Sequence, residues 1–406
     1  MATQKSAISR APIEVWWSIV EYVLGTGHFF ACTYDGAGDW SSVAEDCSQI
    51  GGWWLECERR KRQIGLLRMV CKPWKQFLDS VAPQFVMVDP SSRRQTLPTV
   101  DEIVRAERII VMKDINVVLP TLLTRKLVQW KILQATLNDL DQLSAELEKS
   151  VYPHLCRLDL TSIHGRGYSD YQGEFNPYRL VDSLARFTNI VWLSYRTFAQ
   201  GFPGCEEDDG GKKITLPRLQ VLQYRGEGGF HLPYHRLNLP SLRHLAIYAQ
   251  FNPNSLPLWQ TMAALYGKTL QSLYIRAILN ASTFKPDNCP YLPDWNEVPH
   301  LRELALDAPL CLRFHPLPAT HPLRIFAGEI WMAERLLDWL NSESLELIRM
   351  ISASREPDGS LTCTEKARFG LWSLPDISSL DMKLIEEKAA SRGIAIRLCK
   401  EPSGRV

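Results

Sequence analysis

One phrase, Leu-x-x-Leu-x-(Leu/Ile/Tyr), returns six times in this 406-residue chain, with its first apolar residue at Leu155, Ile190, Leu219, Leu242, Leu270 and Leu301. No other feature restricts the fold as much. The last two apolar residues of the phrase alternate with other side chains, as in a strand that buries one face. Stretches with helical apolar spacing lie between the phrases, at 138–150, 176–187, 258–268 and 332–342. A strand and then a helix, repeated at a step in the twenties to thirties, predicts a leucine-rich-repeat solenoid. The expected class is α/β, with a parallel sheet on the concave side and helices on the convex side. Weaker copies at 107–112, 127–132, 322–328 and 344–350 extend the array, and a helix at 378–392 with a strand at 394–398 ends it. The step runs from 22 residues (Leu301 to Leu323) to 35 (Leu155 to Ile190), so the repeats are irregular, with excursions at 165–177 and 204–213. A closed parallel barrel also alternates strand and helix. The shared leucine phrase favours the solenoid.

The formal net charge is +1, so bulk charge points to neither a nucleic-acid nor a membrane partner. Ten cysteines are scattered without a Cys-x-x-Cys pair, the pattern of reduced thiols in the cytoplasm or nucleus. No apolar run approaches the ~20 residues that span a bilayer. The first twelve residues, MATQKSAISRAP, lack the apolar core of a secretory leader.

Two helical segments precede the repeats. Residues 11–24 carry Pro12 at the first helical position, Glu14 in the first turn, and Val15, Trp16, Ile19 and Val23 on a broad apolar stripe. Residues 64–81 carry Leu66, Leu67 and Val70 on one face, then Pro73, then Trp74, Phe77, Leu78 and Val81 on another. Pro-x-Glu-Val-Trp-x-x-Ile from Pro12, with Leu-x-x-Val-Cys-Lys-x-Trp-x-x-Phe-Leu from Leu67, resembles an F-box. The chain departs from that family at Ala11, where a bulky apolar residue is usual, and by an insertion at about 25–62, as in many fungal F-box-like proteins. The resemblance implies a module over 1–82 that docks on a Skp1-like adaptor and, through it, a cullin. Residues 83–406 would then be the degenerate leucine-rich-repeat solenoid. The adaptor contact falls on Pro12, Val15, Trp16, Ile19, Leu67, Val70, Trp74 and Phe77. An alternative is that these helices only cap the open end of the array.

Candidate chemistry is sparse. No phosphate-binding glycine loop or nucleophile elbow is present. His231 and His235 are separated by Pro233, which forbids a helix aiming both at one metal. His28, Cys32, Cys47 and Cys57 match no zinc spacing. The basic run at 58–62 is read as a solvated helix start, the commoner explanation of such a run, with a nuclear import signal as the alternative. No catalytic residue, cofactor or metal is expected. If the leucines point inward, the residues between them line the concave face. That lining contains Arg157, Trp192, Arg196, Arg225, His244, Tyr248, Tyr274 and Arg276, with Arg196, Arg225 and Arg276 at one position of their repeats. Guanidinium groups there suit carboxylates or phosphates. The sequence thus leads us to expect a non-enzymatic adaptor of a ubiquitin ligase that binds Skp1 with its first helices and a protein substrate on its repeats. The alternative is a protein-binding scaffold without Skp1 contact.

Overall fold

A computed structural model describes Val15 and residues 53–70, 72–81, 85–88, 98–111, 129–136, 139–140, 154–161, 177–197, 212–226, 234–251, 262–279, 294–307, 315–328, 337, 339–351, 353–355, 357–358, 360–363 and 378–399. The protein is α/β. Its strands are β1 (Phe85–Val88), β2 (Arg108–Val111), β3 (Ile132–Thr136), β4 (Arg157–Thr161), β5 (Trp192–Thr197), β6 (Ile214–Thr215), β7 (Val221–Gly226), β8 (Leu237–Asn238), β9 (His244–Phe251), β10 (Ser272–Leu279), β11 (Glu303–Asp307), β12 (Ile325–Gly328), β13 (Leu347–Ile351), β14 (Ala353–Arg355), β15 (Leu361–Cys363) and β16 (Ala395–Cys399). Its helices are α1 (Trp53–Val70), α2 (Lys72–Val81), α3 (Val100–Arg105), α4 (Pro177–Leu184) and α5 (Ser379–Ser391). Twelve strands form one sheet in the order β1-β2-β3-β4-β5-β7-β9-β10-β11-β12-β13-β16. Neighbours with a defined register are parallel throughout. The order begins at β1 and ends at β16. Beside this sheet, β6 pairs with β8 in parallel and β14 with β15 as an antiparallel pair.

The chain divides into two compact units, the first with α1, α2 and β1 to β4 and the second with β6 to β16. Among the described residues no helix is long and apolar enough to cross a membrane.

Ten strands of the large sheet, β2 to β5, β7 and β9 to β13, each begin two residues after a buried anchor. The anchors of the phrase are Leu155, Ile190, Leu219, Leu242, Leu270 and Leu301, and Ala106, Trp130, Leu323 and Leu345 take the same place elsewhere. The weak copy expected at 127–132 is therefore displaced. Its strand is Ile132–Thr136 and its anchor is Trp130, whose Nε1 donates to the Ile103 carbonyl at 2.7 Å. A β-turn delivers several anchors: the N–H groups of Leu219, Leu242 and Leu301 donate to the carbonyls of Leu216, Leu239 and Val298. Pro217, Pro240 and Pro299 follow those acceptors, where proline's fixed φ suits a turn.

The residue between anchor and strand closes the register. Its carbonyl accepts two N–H groups from the next repeat. Arg243 O takes Gln271 N at 2.8 Å and Ser272 N at 3.0 Å, and the same pairing recurs at Glu107, Lys131, Cys156, Gln220, Gln271, Arg302 and Arg324. Both lone pairs are thus used. Beyond it, Leu158 and Leu160, Leu245 and Ile247, and Leu273 and Ile275 project to one face and are buried.

Helical connectors cover part of the expected ground. α4 lies within 176–187, residues 262–266 are helical, and Leu337 and Trp339 are helical positions. Of the helix expected at 138–150, Asp139 and Leu140 are described and helical, capped by the Thr136 hydroxyl, which accepts from Asp139 N at 3.2 Å. α5 buries Met382, Ile385 and Ala389, is capped by Ser378, and ends at Gly393, whose φ of 70° lets Ile394 N return to the Ala389 carbonyl.

Two glycines are irreplaceable for different reasons. A Cβ on Gly267 would overlap the Glu297 carbonyl oxygen, which is backbone and cannot swing away. A Cβ on Gly393 meets open space but forces an L-residue into the left-handed region. In urea titrations, Gly393→Ala should cost about 1 kcal/mol. Gly267→Ala should cost roughly 2–4 kcal/mol, because repeats must separate to admit it. Equal costs would contradict this distinction.

Candidate functional site

The alternation that buries the leucines sends their intervening residues to the other face of the sheet. The surprise is that most of this face is also buried. Trp192 is 0 % exposed, Arg157 1 %, Tyr274 2 %, His244 and Tyr248 4 %, and Arg196 8 %, while Arg225 is half-buried. At these positions the side chains pack rather than stand open to solvent. The side chain of Arg276 is not described, but its backbone is.

In the first unit, Arg157 and Asp159 on β4 face Gln134 on β3 and Arg108 on β2. Arg108 donates through Nη2 to Asp159 Oδ2 at 3.1 Å and to Gln134 Oε1 at 3.2 Å. Arg157 Nε donates to both oxygens of Asp159, at 3.0 and 3.1 Å. Arg157 also lays its guanidinium 4.3 Å from the centre of the Trp192 ring, whose Nε1 donates to Ser194 Oγ at 3.0 Å. A carboxylate shared by two buried guanidiniums is a costly arrangement to break, since either charge left alone is stranded out of water. Its chemistry is that of a clamp. The sequence reading missed Arg108 and Gln134. Aligning Ala106-x-Arg108 with Leu155-x-Arg157 would have placed the two arginines at one repeat position.

In the second unit, the expected column is in register. Arg225 pairs with Tyr248, Tyr248 with Arg276, and Arg276 with Asp307. Arg225 lies 6.0 Å from the centre of the Tyr248 ring, and that ring lies 5.1 Å from Tyr274. Ala246 and Ala305 flank Tyr274 on the neighbouring strands, which leaves room for its ring. Arg196 belongs to the first unit, where it pairs with Thr161. His244 is held neutral, its pKa lowered to about 4 first by burial and then by the Arg243 guanidinium. His235 sits on a short 3-10 turn, Tyr234–Arg236, edge-on to Tyr234.

The helical pair presents a different surface. α1 reaches back to Trp53, five residues before the basic run, so the end of the expected insertion is helical. Near its C-terminus, Leu66, Met69 and Val70 are 60 %, 74 % and 59 % exposed, on one helical face. Leu67 and Trp74 are half-buried, and Leu78 is buried. Val15 is helical and 45 % exposed. Pro12, Trp16 and Ile19 lie outside the described residues, as does the side chain of Phe77.

Two outcomes test these environments. Asp159→Asn should lower unfolding free energy by roughly 3–5 kcal/mol, read from urea titrations, and a loss below about 1 kcal/mol would show that the clamp is not as drawn. For His244, the unfolded ring binds a proton near its model value of 6.5 and the folded ring near 4. Stability from this group is complete above pH ~6.5 and falls as pH drops toward 4, because the unfolded state then binds more protons. Wild-type protein should lose more stability across that window than His244→Asn, in urea titrations at matched pH.

No family model and no curated protein matches this chain.

Proposed function

We propose that this chain is a non-enzymatic adaptor of a ubiquitin ligase, docking through its N-terminal helices on a Skp1-like protein and so on a cullin, and holding a protein substrate on its repeats. The observation that carries this reading is the apolar stripe Leu66, Met69 and Val70, left exposed beside the Val-Cys-Lys-x-Trp motif. Burying such side chains against a partner is worth about 1.5–3 kcal/mol each. The leucine-rich solenoid, with its sheet concave and its helices convex, is supported by strands that pair in chain order and by helical connectors. Buried Arg157, Trp192, His244 and Tyr274 then act as supports for a substrate surface, and half-buried Arg225 is placed to reach one. Ten scattered cysteines without a Cys-x-x-Cys pair support a cytoplasmic or nuclear setting.

The second reading, a scaffold whose helices only cap the array, is favoured by buried Leu78 and by the grouping of α1 and α2 with the first strands. A pure cap has no use for the exposed stripe.

The test is a pull-down on immobilised Skp1. Leu66→Asp with Val70→Asp should abolish capture while leaving the far-ultraviolet spectrum unchanged. Capture that survives both this pair and Pro12→Ala with Trp74→Ala would leave the cap reading standing.

A further inference from the structure

With most of the polar face of the sheet packed, one exposed polar surface in register among the described residues is the rim at the N-terminal ends of the strands. In the second unit this rim is built by four turns and the residue after each anchor: 216–220, 239–243, 267–271 and 298–302. Those twenty residues contain Arg218, Arg243, Lys268, His300 and Arg302 and not one carboxylate. The five side chains are exposed. Among the described residues, Arg218, Arg243, Lys268 and Arg302 take part in no ion pair.

Their spacing is fixed by backbone. Gln220, Arg243, Gln271, Arg302 and Arg324 follow one another along the two-bond ladder. Parallel neighbours lie ~4.8 Å apart, so Arg243 and Arg302 stand about 10 Å apart along the rim. Arg324 ends the free row: its guanidinium is taken by Glu346 in two bonds of 2.8 Å, and this pair holds the Glu346 carboxyl below its usual range. Exposed Glu343 lies at the same end. Exposed Asp294 and half-buried Glu297 precede the fourth turn.

We propose that this rim, centred on Arg243 and Arg302 with Arg218 and Lys268 beside them, is a docking surface for an acidic polypeptide segment. Charge complementarity selects the partner. A duplex or single-stranded nucleic acid held by charge engages 6–10 phosphates or stacks bases on aromatic rings. The rim has four permanent cations and no Phe, Tyr or Trp among its twenty. An extended acidic segment needs only a few carboxylates, each open to a mono- or bidentate arginine contact. The inference goes beyond the adaptor reading and holds with or without Skp1 binding.

Full-length protein titrated into fluorescein-labelled decaglutamate, followed by anisotropy at low salt, tests it. Wild type should bind, and binding should vanish as NaCl rises from about 0.05 to 0.5 M, as exposed charges require. Arg243→Glu with Arg302→Glu should weaken binding at least about tenfold. Arg243→Lys with Arg302→Lys should largely retain it. Lys72→Glu with Lys75→Glu, the same charge change on α2, should leave it unaltered. Arg243→Gln with Arg302→Gln serves in place of the reversal if circular dichroism shows that the reversal is misfolded. The proposal is overturned if wild type does not bind, if the α2 pair weakens binding as much as the rim pair, or if oligo-dT of equal charge binds as tightly with the same dependence on Arg243 and Arg302.

Discussion

A single carbonyl per repeat, accepting two N–H groups from the repeat that follows, sets the register on which the rest depends. The acceptors run through Glu107, Lys131 and Cys156 in the first unit and Gln220, Arg243, Gln271, Arg302 and Arg324 in the second. A parallel strand cannot find its partner through a tight hairpin, so its start must be fixed independently. Here a buried anchor and a turn fix it, and the carbonyl transmits the alignment onward. A one-residue slip would exchange the two faces of a strand. Leu158 and Leu160 would then trade places with Arg157 and Asp159.

That exchange is forbidden from both sides, because both faces are packed. One face is apolar. The other holds a carboxylate between two guanidiniums, an arginine over an indole, and a tyrosine pair. Such groups stabilise less than hydrocarbon of equal volume, but they tolerate only one alignment. They act through the precision with which they set the backbone. Aromatic packing does the same at the far end, where Trp295 meets His321 and Trp339, and Phe326 meets Trp339.

Much of this was legible in the residues. The leucine phrase predicts every strand that begins after a leucine or isoleucine anchor. It is displaced where Trp130 takes the anchor's place, whereas the weak copy at 107–112 falls on β2 although its anchor is Ala106. β1 had no phrase to announce it. The in-register column of Arg225, Tyr248 and Arg276 follows from counting along the repeats. Burial of that face does not, because side-chain polarity describes what a residue can bond to and not whether a protein atom or water supplies the bond. The rim was visible in principle in Leu-Pro-Arg-Leu, Leu-Pro-Ser-Leu and Val-Pro-His-Leu, yet proline read alone marks only a turn.

The interval from anchor to strand is two residues in each of the ten anchored strands, whereas the stretch from a strand's end to the next anchor is 16 residues from Gly226 to Leu242 and 29 from Thr161 to Ile190. Length can therefore change on one side of the sheet and not on the other. Material inserted downstream of a strand lengthens a loop at a small entropic cost. A single residue inserted upstream would break an alignment shared by every later repeat. A lineage of such chains would accumulate new segments at one rim and keep the opposite rim at constant spacing.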